Sequence, residues 1–341
     1  MRPVPQGKSG WRRPALRWLA VLLFLALGGS YVLRMPGHSH SGPLKPLTDG
    51  ERQTRERLAA HVERLAGDIG ERNMWRREAL AAAAGYIEAE FRALGFAVAS
   101  QTYRVSSPAG DARNLEIEID GTGESGEMVV IGAHYDSVLG SPGANDNGSG
   151  VAALIELARM LHGARYPRSV RLVAFVNEEP PFFTTGEMGS QVHARRARER
   201  GERIAAMLSL ETIGYFSDAS GSQQYPAPLG WLYPDTGNFI GFVGNLRSAA
   251  LVRRCVDLFR RSAEFPSEGG AFPGLIPGVS WSDHASFWDA GYPALMVTDT
   301  ALYRYPQYHS AEDLPQRLDY DRMARVVHGL AGVVAGLAAG D

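Results

Sequence analysis

Residues Val129–Gly150 read VVIGAHYDSVLGSPGANDNGSG, and the rest of the chain is interpreted outward from them. With Met128 ahead of it, the stretch opens as an unbroken apolar run to Ala133, the pattern of a strand buried on both faces. His134 and Asp136 follow, two apart, so both side chains leave the same side of an extended backbone. Ten residues further on, Asn145-Asp146-Asn147-Gly148 is a turn-forming cluster that runs into an amphipathic helix. An imidazole and a carboxylate at a strand's carboxyl end, with a second carboxylate on the next loop, are how a metal site is begun. The same residues allow a plainer arrangement, in which Asp136 holds a buried His134 and Asp146 caps the helix.

Upstream, Leu115, Ile117 and Ile119 alternate with Glu116, Glu118 and Asp120, which predicts a half-buried outer strand. Leu58, Val62 and Leu65, then Leu80, Ala84, Ile87, Phe91 and Leu94, repeat at helical spacing, and Gly95 follows as a stop. Downstream, Val151, Leu154, Ile155, Ala158 and Leu161 form the inner stripe of the helix after the turn. Arg171–Asn177, RLVAFVN, is a second buried strand and ends in Glu178-Glu179-Pro180-Pro181; Ile204–Leu210 is a third and ends at Glu211. Ile240–Val243 and Ala294–Thr298 are further strands, with a helix over Ser248–Arg261 between them. A last helix runs from Asp321 to about Ala339, its Gly/Ala-rich end suited to packing rather than to spanning a membrane. Gln223–Thr236 and Glu264–Gly278 read as long loops of the kind that shape specificity.

Strands alternating with helices predict an α/β fold. We expect a single domain with a central mixed, mostly parallel sheet flanked by helices on both faces. Such sheets bind ligands beyond the carboxyl ends of their strands. His134, Glu178, Glu179 and Glu211 all fall there.

The chain has 341 residues, 45% hydrophobic and 21% charged, which supplies ample core for one large domain. A formal net charge of −2 gives no reason to expect a nucleic-acid partner. With Cys255 as the single cysteine, an internal disulfide is impossible. Arg2, Lys8, Arg12, Arg13 and Arg17 precede an uncharged run from Trp18 to Leu33, and Arg34 follows it. That pattern predicts export, with residues 1–34 a cytoplasmic stub and signal-anchor or signal segment. Residues 35–48 read as a linker and 49–341 as the catalytic domain, periplasmic or extracytoplasmic and tethered to the membrane through the N-terminal segment only.

A hydrolytic zinc site needs nitrogen and oxygen ligands, an open position for water and a nearby base. Two zinc ions roughly 3.5–4 Å apart can share one carboxylate. The candidate ligands are His134, Asp146, Glu179, Glu211 and a late histidine, for which His309 in Tyr305-Pro306-Gln307-Tyr308-His309 competes with His284. Of the adjacent Glu178 and Glu179, alternation lets one face a metal while the other points elsewhere in the cleft. An exposed loop pair is the plainer reading, though it is ill suited to the end of a buried strand. No G-x-S-x-G elbow of a serine hydrolase is present.

These residues carry a family resemblance. H-Y-D at 134–136, A-N-D-N-G-S-G at 144–150, N-E-E at 177–179, L-E-T-I-G-Y at 210–215, S-D-H at 282–284 and Y-H at 308–309 recur in the order of the M28 zinc peptidases. The resemblance, to aminopeptidase and glutamate-carboxypeptidase relatives, covers about residues 50–320 and implies a zinc exopeptidase-like fold. It implies that His134 and Glu211 hold one zinc, that Glu179 and His309 hold another, and that Asp146 bridges them. Glu178 would be the general base and Asp136 would fix the tautomer of His134. Asp283 would support the cleft or cap a helix. Many family members supply aspartate where this chain has Glu211, one methylene longer, which puts that ligand in question. The resemblance therefore implies a metal-dependent exopeptidase, foremost a di-zinc aminopeptidase. It would act on peptides with a free N-terminus, through a metal-bridging water activated by Glu178. A single-zinc glutaminyl cyclase-like acyltransferase and a non-enzymatic ectodomain of the same fold are the alternatives. Presence of all five ligands and the base weighs against the ectodomain.

Overall fold

Eight strands form one mixed sheet: β1 Ala99–Val105, β2 Gly110–Ile119, β3 Glu127–His134, β4 Ser169–Phe175, β5 Arg203–Glu211, β6 Ile240–Asn245, β7 Ser267–Phe272 and β8 Ala294–Thr298. The structure is a computed structural model and describes residues 17–19, 28–227 and 229–340. Strand order is β1-β2-β4-β3-β5-β8-β6-β7. The four central strands β4, β3, β5 and β8 are mutually parallel, and antiparallel pairings join β2 to β4 and β6 to β8. The helices are α1 Asp49–Val62, α2 Arg77–Ala93, α3 Gly150–Leu161, α4 Gly189–Glu199, α5 Ala249–Ser262, α6 His284–Asp289, α7 Ala301–Arg304 and α8 Tyr320–Ala339.

Both faces of the sheet are covered, as the unbroken apolar runs require. Val129, Ile131 and Ala133 of β3 join the larger core, formed with α1, α2, α3, α5 and α8. Met128 and Val130 of the same strand enter a second core, with Val173 and Phe175 of β4, Ala194 and Ala197 of α4 and Phe287 of α6. The last helix is packed, as expected. Although α8 is long and apolar enough to cross a membrane, 56% of its most apolar 18-residue window is buried in the protein. Gly332 and Gly336 let α5 approach so closely that a Cβ would lie 2.1 Å from Ser262 Oγ and 2.5 Å from Leu258 Cδ2.

Two expectations need correction. Leu115–Ile119 belongs to β2, which is not the outermost strand, because β1 covers its free edge. Strand β1 eluded the pattern because its edge position leaves it mostly exposed, with little apolar alternation to read. The expected loop Glu264–Gly278 contains β7, paired in parallel with β6. Its Gly269-Gly270 pair erases the strand signal, yet a Cβ at Gly269 would lie 2.7 Å from Val256 Cγ2 on α5.

Of the predicted export segment, residues 1–16 and 20–27 lie outside the described residues. Residues 35–48 form no helix or strand but are docked on the domain. Met35 packs against the larger core, Arg260 donates to Pro36 O at 2.8 Å, and Ser267 N donates to Ser39 Oγ at 2.9 Å.

Candidate metal centre

Strands β4, β3 and β5 are adjacent and parallel, so their carboxyl ends share one edge of the sheet. That edge carries His134 as the last residue of β3, Glu178 and Glu179 just beyond β4, and Glu211 as the last residue of β5. Asp146 is brought over the same edge by the turn Ala144–Ser149, which folds back onto β5. The asparagines on either side pin it. Asn147 donates to Leu210 O at 2.7 Å and accepts from Thr212 N at 3.2 Å. Asn145 donates to Asp299 Oδ2 at 2.9 Å and accepts from Gly214 N at 2.9 Å. Asp313 accepts the main-chain N–H groups of Asn145 and Asp146, at 2.8 and 3.1 Å.

The result is two groups of three side chains that could hold a metal ion, sharing one member. His134 Nε2 lies 3.2 Å from Asp146 Oδ1 and 3.3 Å from Glu211 Oε2. His309 Nε2 lies 3.0 Å from Asp146 Oδ2 and 3.3 Å from Glu179 Oε2. The two oxygens of Asp146 thus face different groups. Glu178 is buried beside them, with Oε2 3.8 Å from His134 Nε2, and belongs to neither. His284 lies apart, buried, with Nε2 bonded to Val279 O at 2.8 Å.

Asp136 lies beside His134 Nδ1, as expected, and also serves the two glutamates. His134 Nδ1 is 3.2 Å from the main-chain carbonyl of Asp136 and 3.6 Å from its carboxylate. The carboxylate also accepts the N–H groups of Glu178 and Glu179, at 3.2 and 3.1 Å, and so fixes the backbone that presents both glutamates. Asp283 begins α6 but makes no capping bond; it is fully buried close to the centre.

Several supporting residues were given no role in the sequence reading. Arg72 is fully buried and donates to the carbonyls of Tyr135, Gly143, Leu65 and Gly70, at 2.7, 2.8, 3.3 and 3.2 Å, bracing the loop between His134 and Asp146. Ser282 donates to Glu211 Oε2 at 2.7 Å. Three non-glycine residues beside or within the ligand set hold left-handed φ values: Asn177 at 60°, Thr212 at 48° and His309 at 56°. Each costs on the order of 1–3 kcal/mol, strain that accumulates at functional sites.

Charge and hydrogen bonding both call for cations here. His134 Nε2, Asp146 Oδ1 and Glu179 Oε1 are buried without a hydrogen-bond partner. Buried groups left so are costly unless something coordinates them. Burial, and then the charge of Asp146, push Glu179 up to about 7. Burial and the neighbouring Glu211, Glu179 and Asp283 push Glu178 well above the usual carboxylate range, against the opposing pull of His134. His309 is raised to about 10; burial works against its charge, but Asp146 and Glu179 outweigh it. Two histidines and three carboxylates, split by a shared carboxylate, are a donor set suited to zinc.

Beside Glu211 and Tyr308 opens a pocket of about 120 Å³. Its walls are mostly apolar and include Tyr225, Tyr233, Phe239, Phe272 and Met296, with Glu268 among them. Both expected specificity loops contribute to it.

A mixed sheet with paired nitrogen and oxygen ligands at its carboxyl edge is the architecture of the zinc-dependent exopeptidases. Peptidase family M28 matches residues 114–334, and the chain belongs to that family. An "Uncharacterized protein YfbL" of Escherichia coli (strain K12) is 41% identical over 284 residues, covering 81% of this chain and 86% of that protein. A "Probable leucine aminopeptidase" of Trichophyton verrucosum is 29% identical over 222 residues, 62% of this chain; the match spans 53% of that protein, about half its length. In structure, the chain resembles a zinc aminopeptidase of Bacillus subtilis, with a TM-score of 0.64 at 16% identity over 83% of this chain and 95% of that one. It also resembles the glutaminyl cyclase of Fimbriiglobus ruber, with a TM-score of 0.63 at 22% identity over 86% and 99%. At these identities the structural likenesses speak to fold alone.

Proposed function

We propose that the protein is a di-zinc aminopeptidase. The observation that carries this reading is the division of Asp146, one oxygen toward His134 and Glu211, the other toward His309 and Glu179. His134 and Glu211 would hold one zinc, Glu179 and His309 the other, and Asp146 both. Bound there, zinc supplies Lewis acidity toward the scissile carbonyl and the attacking water. Glu178 takes a proton from that water and passes it to the leaving amine, a role that suits a buried carboxylate free of both ligand groups. Asp136 holds Glu178 and Glu179 in place through their N–H groups. The peptide's first side chain enters the pocket beside Glu211. The aminopeptidase names among the sequence relatives support this reading, and the basic-then-apolar N-terminus supports export to an extracytoplasmic, membrane-tethered site.

Metal content and peptide turnover, measured on wild type and on Glu178→Gln, test the proposal. The expected result is two zinc ions in both proteins, with N-terminal residues released by wild type and hydrolysis reduced at least 100-fold in the variant. Loss of metal in Glu178→Gln would mean that Glu178 is a ligand and the roles of the two glutamates are exchanged. One zinc per chain together with cyclisation of N-terminal glutamine would make it a glutaminyl cyclase instead.

A further inference from the structure

The pocket beside the metal centre is not uniformly apolar. Glu268 on β7 lines it with the tyrosines: Tyr225 and Tyr233 stack at 5.8 Å between centroids, and Tyr233 meets Phe272 at 6.1 Å. Burial pushes the Glu268 carboxyl up, against the Arg260 charge and the Ser39 hydroxyl. Arg260 does not neutralise it by direct pairing. Its guanidinium is committed to Ser267 Oγ at 3.1 Å, Ser267 O at 2.7 Å and Pro36 O at 2.8 Å. Arg304, the other nearby cation, stacks over the Phe239 ring at 4.5 Å. It donates to Gln223 and Phe239 O, and Asp299 is its counter-charge.

We propose that Glu268 makes this pocket selective for a first residue whose side chain carries a positive charge on an apolar stem, as in lysine or arginine. The pocket wall runs from Glu211 and Tyr308, at the metal centre, to Glu268. A methylene stem packs along the aromatic wall, its cationic head lies against the rings, and the carboxylate receives it. Leucine fills the apolar part and offers the carboxylate no cation. The proposal deepens the aminopeptidase reading and rests on it.

Turnover of lysine, arginine, leucine and norleucine p-nitroanilides by the zinc-loaded protein tests it, norleucine matching the lysine stem without the charge. Lysine and arginine are expected to exceed norleucine in kcat/KM by about tenfold or more, and Glu268→Gln to bring that ratio close to one. Equal rates on lysine and norleucine, or a ratio that survives Glu268→Gln, would overturn it. If no substrate is cleaved, the aminopeptidase reading fails, and thermal melts with lysinamide and norleucinamide judge the pocket separately. A larger upward shift with lysinamide, lost in Glu268→Gln, supports the charge preference; equal shifts refute it.

Discussion

Glu211 reaches the centre on a longer arm than aspartate would, and the structure shows what restrains it. Ser282 donates to its Oε2 at 2.7 Å, and Ser209 lies 2.8 Å from the Ser282 hydroxyl. These bonds hold the longer side chain in place beside His134. Outer hydrogen bonds to a ligand are worth roughly 10–100-fold in metal affinity. Ser282→Ala is therefore expected to weaken one zinc by about that factor while leaving the second, as read by chelator competition. An equal loss at both ions, or at neither, would contradict the pairing of Ser282 with the Glu211 side. The ligand candidates themselves were legible because strand ends and turn chemistry mark them. Ser282, Arg72 and Asp313 were not, because they act through main-chain and hydroxyl contacts between segments far apart in sequence. Asp136 was half legible: its place beside His134 was evident, but its carboxylate serves a neighbouring strand that only the fold brings near.

At the scale of elements, α1 and α3 are joined by a buried charge. Glu156 on α3 accepts from Arg57 on α1 at 3.0 Å and from Arg159 at 2.6 Å. Burial alone would raise its pKa, but bonds from His61, Arg159 and Arg57 hold it down at about 2, below its ordinary 4.5. A depressed folded-state pKa contributes stability above the unfolded value, and that contribution is lost as pH falls through the folded one. Glu156→Gln is thus expected to cost about 2 kcal/mol near neutral pH. Its deficit against wild type should shrink between pH 4.5 and about 2. Thermal melts across that range decide it, and a deficit independent of pH would refute the assignment. Helices such as these were legible from their apolar spacing. The elements that escaped were β1, exposed at the sheet's edge, and β7, whose glycines serve helix contact rather than strand propensity.

For the whole molecule, the sequence divides naturally after residue 34, whereas the structure shows the next few residues already engaged. Met35 packs half-buried against the core beside Gly269, and Ser39 satisfies an N–H on the open side of β7. Removal of residues 1–30 should leave the melting temperature of the domain intact, because Arg253 of α5 engages the segment from Tyr31 onward, at its carbonyl at 3.0 Å and over its ring at 4.5 Å. Removal of 1–40 should lower it by several degrees, a loss of about 1–2 kcal/mol from the half-buried Met35, the edge bond of Ser39 and the Arg253 contacts together. Equal melting temperatures would show that the docked segment contributes nothing.

The candidate ligands come from segments far apart in the chain: His134 ends the central strand β3, and His309 lies beyond α7, in the loop that leads to α8. A chain emerging in order presents its first histidine long before its second. Until β8 and the loop behind it have been made and threaded back over Asp146, half of the centre does not exist. Full metal occupancy would thus act as a certificate of completion, granted only to a polypeptide finished through its final loop.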